Sequence, residues 1–456
     1  MSLTKISYSM ISGAPVNVLD YGADPTGATS SQSAFVAALA TGKSVYIPKG
    51  TYLVTGGLVL PEYSTMFGDG PNLSKIQCNT SSFSGVCLTV GGRCEVRDFS
   101  ITAINEPTPL TATGVYFASA DGPYNFTGHS SATNVQVQKF NVGFLVNNFF
   151  DLEFHRCEAY QNNRGWELSP QYIVSQDSGY YTTITLIKCY SAFNQLEGFY
   201  ASSTVNGRVL HFIDCAIEFN CVNDSTATAE IAITRCFQVA FSSCYTESSV
   251  GTTKPWLLLN NVSTCSIDDH FAVSTQGVNI GNDSGQLTMK NSTIGKLVGA
   301  ASGAGGQNIY AVGCSIGVTT IGSTVTQRYI STTVDGSYRK DLAINNQIRL
   351  IDDTANTSTL NSFQLFTKTV TATISANSNA ALITDQYFVN VWEGDTVATA
   401  SITNLYNPGL LLQVTPATTG DKNYFNVRAV NTTASPITIT SAQLKVAFIR
   451  GYGMAI

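Results

Sequence analysis

The sequence predicts an all-β protein built around a parallel β-helix, and three observations support this prediction. Only 12% of the 456 residues are charged, and 38 residues are glycine. Hydrophobic patterns with helical spacing are scarce after residue 42. A short motif of alternating apolar residues recurs along the middle of the chain, which is typical of one structural unit per repeat. Stacked coils are therefore expected.

The first predicted element is a strand, a tight Asp-Pro turn and a short helix near the N-terminus. Residues 16–27 read VNVLDYGADPTG, and the turn lies at the end of this stretch. Phe35, Val36 and Leu39 are expected to form one apolar face of a helix that ends before Gly42. Such a short amphipathic helix must cover an apolar surface, and an open end of a solenoid offers one.

The repeat consists of an apolar residue, any residue, a second apolar residue, two further residues and a small or aromatic anchor. Its anchors are Phe99, Phe140, Cys157, Cys189, Cys215, Cys244, His270, Ser292 and Cys314. From Cys157 onward they lie 32, 26, 29, 26, 22 and 22 residues apart. Alternation with a period of two indicates strands, and steps of this length indicate one coil per repeat.

The eleven cysteines are better explained by this repeat than by a disulfide framework. Cys157, Cys189, Cys215 and Cys244 are anchors of successive coils, and a buried cysteine packs as a small hydrophobe. We therefore expect these four side chains to point inward and to remain unbridged. His270 occupies the same inward position, which predicts a packed, hydrogen-bonded core histidine. Neither a metal ion nor a cofactor is expected.

The composition changes near residue 315, where a Gly-, Ser- and Thr-rich stretch begins. Closely spaced turns and differently alternating strands follow, a pattern typical of an antiparallel β-sandwich. The predicted domains are a neck and cap at 1–54, the β-helix at 55–315, a connecting region at 316–359 and the sandwich at 360–456.

Charge and hydropathy exclude several functional classes. The net charge of −6 and a pI near 5.3 argue against nucleic-acid binding, which needs a basic surface. No apolar run approaches the roughly 18 residues of a membrane span, so membrane insertion is not expected. The N-terminal residues lack a signal-peptide pattern, which is compatible with a protein made in a bacterial cytoplasm and released by lysis.

The opening at 16–52, which closes with VYIPKGTY, resembles that of pectate-lyase-like right-handed parallel β-helices. The resemblance is closest to bacteriophage tailspikes that act as capsular polysaccharide depolymerases. It implies right-handed coils, a capping role for the helix and a C-terminal module that forms homotrimers or contacts sugar. It also implies a bacterial surface polysaccharide as substrate, other tail proteins as partners, and a location in the phage tail of the virion.

Outward side chains of successive coils align into columns. The residues three positions beyond four successive anchors are Tyr160, Ala192, Glu218 and Glu247. Glu218 and Glu247 therefore fall in the same register on adjacent coils. Glycoside hydrolysis needs one protonated and one ionised carboxyl group, so we predict these two as the catalytic pair, with Asp214 as a third member. The competing interpretation is that all three are solvated surface charges.

Several further residues are candidates for substrate contacts. Tyr160 and Tyr245 are expected to stack on sugar rings, and Arg156 and Lys188 could hold anionic groups. His211 lies on the same predicted strand as Asp214 and completes the set. The reserve carboxylates are Glu167, Asp177, Glu197 and Asp269.

Two alternatives to hydrolysis remain open at this stage. A polysaccharide lyase would need a Tyr, His or Lys base and a cation to neutralise the uronate. His155 with Arg156, or Lys188 with Tyr190, could supply these groups. The other alternative is a non-catalytic tail spike that binds glycan without cutting it.

Overall fold

A computed structural model describes residues 13–81, 83–105, 110–118, 127–147, 149–169, 179–201, 205–222, 226–247, 254–272, 277–281, 284–299, 308–321, 326–330, 332–334, 337–339, 350–351, 363–387, 396–402, 410–416 and 424–449. Within these residues, no helix is both long and apolar enough to cross a membrane.

The strands of residues 16–339 form one continuous hydrogen-bonded system. In chain order they are β1 (Val16–Asn17), β2 (Thr26–Ser30), β3 (Val45–Ile47), β4 (Gly50–Val54), β5 (Leu58–Leu60), β6 (Thr65–Gly68), β7 (Ser74–Asn79), β8 (Val86–Val90), β9 (Glu95–Ile104), β10 (Thr113–Ala118), β11 (Thr127–Gln138) and β12 (Val142–Asn147). They continue as β13 (Phe149–His155), β14 (Glu158–Tyr160), β15 (Arg164–Leu168), β16 (Gly179–Ile187), β17 (Tyr190–Ala192), β18 (Phe199–Ala201), β19 (Val205–Ile213), β20 (Ala216–Glu218), β21 (Ile231–Ser242), β22 (Tyr245–Glu247) and β23 (Leu257–Asp268). The last are β24 (Phe271–Ala272), β25 (Val278–Ile280), β26 (Gln286–Lys290), β27 (Thr293–Gly299), β28 (Asn308–Val312), β29 (Ser315–Ile321), β30 (Thr326–Ile330), β31 (Thr332–Val334) and β32 (Ser337–Arg339).

Except for β32, which pairs antiparallel with β31, these strands pair in parallel with neighbouring coils, which confirms the predicted parallel β-helix. Three columns of pairing define three sheets. Sheet A contains β13, β16, β19, β21, β23 and β26 among others. Sheet B contains β14, β17, β20, β22 and β24. Sheet C contains β12, β15 and β18, followed by the first residues of β21 and β23. The later residues of these two long strands belong to sheet A. Parallel pairing runs from Val16 to Val334, so it extends beyond the expected 55–315 range at both ends.

The helix α1 (Gln32–Leu39) forms where the sequence predicts it, but its apolar face differs from the expectation. Phe35 and Leu39 are buried, whereas Val36 is 49% exposed. A helix turns by about 100° per residue, so Val36 lies outside the stripe formed by Ala34, Phe35, Ala38 and Leu39. The Phe35 ring packs edge-on against Tyr52, with 5.6 Å between the ring centroids. That α1 caps the solenoid stays a prediction.

The predicted cysteine ladder is confirmed. All eleven cysteines are buried and unbridged. The thiols of Cys189, Cys215 and Cys244 each donate to a main-chain carbonyl of the preceding coil at 3.3 Å, and that of Cys157 does so at 3.2 Å. Burial raises the pKa of the Cys189 thiol well above its ordinary value. The column therefore behaves as a stack of small apolar side chains with satisfied donors.

We expect the native protein to resist a thiol-reactive chromogen and the denatured protein to release eleven equivalents of it. The thiolate is the reactive form, and buried thiols with a raised pKa supply very little of it. Measurement of the colour yield with and without guanidinium checks both statements. Fewer than eleven reactive thiols in denaturant would indicate disulfides and contradict the ladder.

His270 is the core histidine that the repeat predicts. Its side chain is buried, its Nε2 lies 3.1 Å from Oγ1 of Thr246, and its ring stacks on Trp256 at 4.4 Å. Burial disfavours the charged imidazolium and lowers the pKa of His270 from 6.5 to about 3. The ring therefore stays neutral in the folded protein at ordinary pH.

The burial of His270 should make the fold less stable in mild acid. Because the pKa of His270 falls from 6.5 to about 3 on folding, only the unfolded chain gains a proton on this residue between these values. The contribution of neutral His270 to the free energy of unfolding is therefore fully present above pH 6.5. It decreases as the pH falls towards 3, by up to about 1.4 kcal/mol per pH unit. Urea titrations over this range should give a shallower pH dependence for His270→Gln than for wild type, and parallel curves would contradict the assignment.

A second unit includes residues 341–456. Its strands are β33 (Leu350–Ile351), β34 (Phe363–Ile374), β35 (Asn379–Tyr387), β36 (Thr396–Ile402), β37 (Leu410–Pro416), β38 (Tyr424–Asn431) and β39 (Ile437–Ile449). They form a four-stranded sheet in the order β33-β34-β39-β36 and a three-stranded sheet in the order β35-β38-β37. All of these pairs are antiparallel except β33 with β34. The predicted sandwich stays a prediction.

Candidate active site

The turn from sheet A into sheet B is made by one residue with a left-handed backbone in most repeats. These corner residues are Asp98, Asn134, Arg156, Lys188, Asp214, Ser243, Asp269 and Asn291, and their φ angles lie between 46° and 62°. The predicted anchor Phe140 is wrong, because Val135 pairs with Phe99 and Lys139 follows sheet B rather than preceding it. Aspartate and asparagine tolerate this conformation better than most residues. The next residue is the buried anchor, so each coil enters sheet B in the same register. This regularity is why anchor counting predicts the outward columns.

Sheet B presents two outward columns over its middle coils. The strands β14, β17, β20 and β22 have three residues each, and the middle residue of each strand is buried. The first positions are Glu158, Tyr190, Ala216 and Tyr245, and the third positions are Tyr160, Ala192, Glu218 and Glu247. Glu218 pairs directly with Glu247, which confirms the predicted register. Their backbones therefore lie about 4.8 Å apart.

Each carboxylate of this pair has a tyrosine partner. The Tyr245 hydroxyl donates to Oε2 of Glu247 at 2.5 Å. This hydrogen bond raises the pKa of Tyr245 to about 12. Burial and a hydrogen bond to Glu218 likewise raise the pKa of Tyr190 above its ordinary value. Both tyrosines therefore keep their protons at neutral pH and act as donors to the two carboxylates.

A third carboxylate and a set of aromatic rings surround the pair. Nε2 of Gln136 donates to Oε2 of Glu158 at 2.7 Å. The Tyr160 ring packs edge-on against Phe193 at 5.4 Å between centroids, and Tyr245 stacks on Phe271 at 6.2 Å. Carboxylates beside partly exposed aromatic rings can bind a sugar through both its hydroxyl groups and its apolar faces.

The structure brings four of the predicted site residues to this face, namely Tyr160, Glu218, Tyr245 and Glu247. The other four lie elsewhere on the coils. Asp214, Arg156 and Lys188 occupy corners, and His211 lies on sheet A in register with Thr185. Asp214 precedes Glu218 by four residues of extended chain, a span of up to about 13 Å. These four residues lie at the margin of the pair rather than beside it.

The reserve carboxylates have other environments. Glu197 is buried, accepts a hydrogen bond from Nε of Arg164 at 2.8 Å and accepts another from the Thr228 hydroxyl at 2.7 Å. Burial opposes its ionisation, but the hydrogen bonds from Arg164 and Thr228 outweigh burial and lower the pKa of Glu197. Glu167 pairs with the same guanidinium at 3.1 Å. Asp269 is a corner residue, and Asp177 lies outside the described residues.

A buried asparagine ladder beside the site is absent from the sequence-based predictions. Asn162, Asn194 and Asn220 are fully buried at the turn after sheet B. The Asn162 main-chain N–H donates to Oδ1 of Asn194, and the Asn194 main-chain N–H donates to Oδ1 of Asn220. The ladder ends at Glu230, whose Oε2 accepts from the Asn220 main-chain N–H at 3.0 Å. A constant offset of five residues after three cysteine anchors is the signal that could have predicted it.

Residues 15–105 match the family model described as "Rhamnogalacturonase A/epimerase, pectate lyase-like". This match confirms the resemblance over the N-terminal part of the chain. No curated protein matches the sequence.

Solved structures similar to this chain include the catalytic unit of the GH87 α-1,3-glucanase from Streptomyces thermodiastaticus. It is 16% identical with a TM-score of 0.44, over 72% of this chain and 69% of that one. A protein of Geobacillus virus E2 is 13% identical with a TM-score of 0.49, over 96% and 78%. The enzymatically active domain of tailspike protein 2 from bacteriophage CBA120 is 12% identical with a TM-score of 0.42, over 99% and 77%. Similarities this distant carry no information on substrate or mechanism.

Proposed function

We propose that this protein is a phage tailspike depolymerase that cleaves a bacterial surface polysaccharide as an endo-acting glycoside hydrolase. The observation that carries the proposal is the in-register pair Glu218 and Glu247 on the outer face of sheet B. A hydrogen-bonded tyrosine accompanies each carboxylate, and partly exposed aromatic rings flank them. An open face of stacked coils can hold several sugar residues of a long chain at once.

The chemistry follows from two carboxyl groups on adjacent coils. One protonates the glycosidic oxygen, and the other acts as an ionised base or nucleophile on the opposite side of the sugar ring. A gap of roughly 5–5.5 Å between the carboxyl groups leads to retention, and one of 6.5–9.5 Å leads to inversion.

The tyrosines support hydrolysis over β-elimination. A lyase needs a base that removes the C5 proton of a uronate, and Tyr190 was a candidate for this role. Burial and the bond to Glu218 raise the pKa of Tyr190, which makes its phenolate scarce at neutral pH. His155 projects from sheet A, and Arg156 and Lys188 lie at corners. His155 and Arg156 therefore lie outside sheet B, whereas Lys188 lies two residues before Tyr190.

The tail context and the oligomeric state are part of the same proposal. We expect a homotrimer with parallel chains, carried in the virion by other tail proteins, whose 341–456 unit contributes to trimer formation or to sugar binding. Tight oligomers are stabilised by buried interface through mass action. Light scattering at micromolar concentration should give three times the mass of 48.6 kDa, and a monomer mass would contradict the trimer.

The experiment that tests the proposed activity uses purified capsular, O-chain and exopolysaccharide fractions from a panel of bacteria. Incubation with the protein should release new reducing ends from at least one fraction and lower its viscosity early, as endo cleavage does. Absorbance from an unsaturated uronate would identify a lyase instead. Retention of glycan without any cleavage would identify a non-catalytic spike.

A further inference from the structure

Two phenylalanines adjoin the carboxylate column of sheet B at a corner that is also left-handed in the two preceding coils, with φ of 66° at Lys139 and 56° at Gln161. A bulky side chain at such a corner is the unusual feature. Phe193 follows Ala192 and Phe219 follows Glu218, so both leave sheet B at the same register on adjacent coils. Their φ angles are 55° and 53°. Left-handed backbone is unfavourable for residues with a Cβ, and bulky side chains are unusual there. Most other non-glycine residues with positive φ in the described structure are Asn, Asp, Ser, Gln, Lys or Arg.

The two rings also gain little free energy from hydrophobic burial, because both are partly exposed to solvent. Phe193 is 40% exposed and Phe219 is only partly buried. They stack on each other with 5.4 Å between centroids and an interplanar angle of 21°, and Tyr160 packs edge-on against Phe193. Strained backbone that is retained at an exposed position is typical of functional sites. We call Phe193, Phe219 and Tyr160 the aromatic platform.

We propose that the aromatic platform binds a pyranose residue of the substrate by stacking against an apolar C–H face of its ring, next to the bond that is cleaved. This inference rests on the proposed function and names a binding site for that same reaction. The face of an aromatic ring carries partial negative charge and attracts polarised C–H bonds. Tyr160 belongs to the platform and Glu218 directly precedes Phe219, so a hydroxyl and a carboxylate accompany the rings and can bind the polar rim of the sugar.

The chemistry of the surroundings favours a sugar over a second protein chain. A protein interface of this kind would cover the rings with apolar side chains and would leave the carboxylates of Glu158, Glu218 and Glu247 facing a dry surface. Within the described part of the chain, these carboxylates have neutral hydrogen-bond donors but no cation beside them, and burial of a charge without an opposite charge is strongly unfavourable. A sugar covers the rings with C–H groups and offers hydroxyl donors to the carboxylates. A sugar therefore complements both the aromatic rings and the carboxylates of this surface.

The test uses Phe193→Asn, Phe219→Asn and the double variant, with Phe237→Ala as the matched control. Phe237 is 53% exposed and lies under the Arg208 guanidinium, away from sheet B. Asparagine tolerates left-handed backbone, so each Asn variant removes a ring without adding strain. Binding is read in a Glu247→Gln background, so that no probe is consumed. The probe is a printed array of capsular and O-chain polysaccharides.

Each single Asn variant should weaken retention of the recognised glycan by about three- to tenfold, and the double variant by at least about tenfold. The melting temperature should stay equal or rise because strain is relieved, and Phe237→Ala should leave retention unchanged. A lower melting temperature with unchanged retention would assign the rings a structural role and overturn the inference. A changed mass in light scattering would assign them to contacts between chains and would overturn it too.

Cleavage and retention are separate readouts, so the two proposals fail separately. If wild type cleaves no glycan but the Asn variants lose retention, the hydrolase proposal fails and the platform stands. If wild type cleaves a glycan that the double variant retains normally, the platform fails and the hydrolase proposal stands. Retention of no glycan by the Glu247→Gln protein overturns the platform as well.

Discussion

Glu218→Gln and Glu247→Gln are each expected to lower glycan cleavage by about 10²- to 10⁴-fold, because an amide can neither donate nor accept the catalytic proton. The two side chains lie in register on adjacent coils and face the same way. The substitution keeps the shape of each side chain, so the sheet B face should stay intact. Initial rates from reducing-end release, measured with wild type in parallel, give the size of the loss.

The matched control is Glu153→Gln, an exposed carboxylate that points outward from sheet A. It removes one negative charge from the β-helix without touching sheet B, and its rate should equal that of wild type. Retention of the glycan by both active-site variants should persist, and their melting temperatures should match that of wild type. Wild-type turnover in both Glu218→Gln and Glu247→Gln would refute the catalytic assignment.

Asn194→Ala is expected to give the largest loss of stability, about 3 kcal/mol or more, because it leaves several buried polar groups unpaired. Its amide group accepts from the Asn162 main-chain nitrogen at 2.9 Å and donates to the Ala159 carbonyl at 3.3 Å. It also donates to the Ser191 hydroxyl at 3.1 Å. Urea unfolding monitored by far-ultraviolet circular dichroism measures the change in the free energy of unfolding.

The control for the ladder is the neighbouring exposed residue, as Gln195→Ala. Its backbone bond to Asn162 remains, so the free energy of unfolding should change by less than about 0.5 kcal/mol. A similar small change for Asn194→Ala would mean that water or a shifted side chain replaces the ladder. The ladder would then not hold the turn that follows sheet B.

The coils and the register of the site were predictable because each depends on local periodicity. A single left-handed residue and a single buried anchor separate sheet A from sheet B, so positions counted from Cys215 and Cys244 coincide in space. Glu218 and Glu247 therefore lie in the same register on adjacent coils, as predicted. Asp214 and Glu218 also look close in sequence, but extended chain places them far apart. Residues close together in sequence therefore need not share the site, because the catalytic column consists of residues from successive coils.

Other features depend on the direction in which each corner turns the chain and on the contacts it makes with other coils. Alternation with a period of two carries no information on either. The burial of Glu197 follows from its bonds to Arg164 and Thr228, which a different coil supplies. The exposed stacking of Phe193 on Phe219 follows from two left-handed residues that look like ordinary apolar positions in the sequence. The strands before residue 55, β1 to β4, have two to five residues each and no cysteine anchor, so the sequence did not predict that they belong to the solenoid.

The most direct test of the central claim is the mass of the products that wild type and the Glu218→Gln/Glu247→Gln double variant release from the cognate polysaccharide. Hydrolysis adds one water to each cleaved bond, so wild type should release saturated oligosaccharides whose mass is that of whole repeats plus one water. The double variant should release none under the same conditions. Unsaturated products lacking that water, or saturated products released by the double variant at the wild-type rate, would contradict hydrolysis by this carboxylate pair.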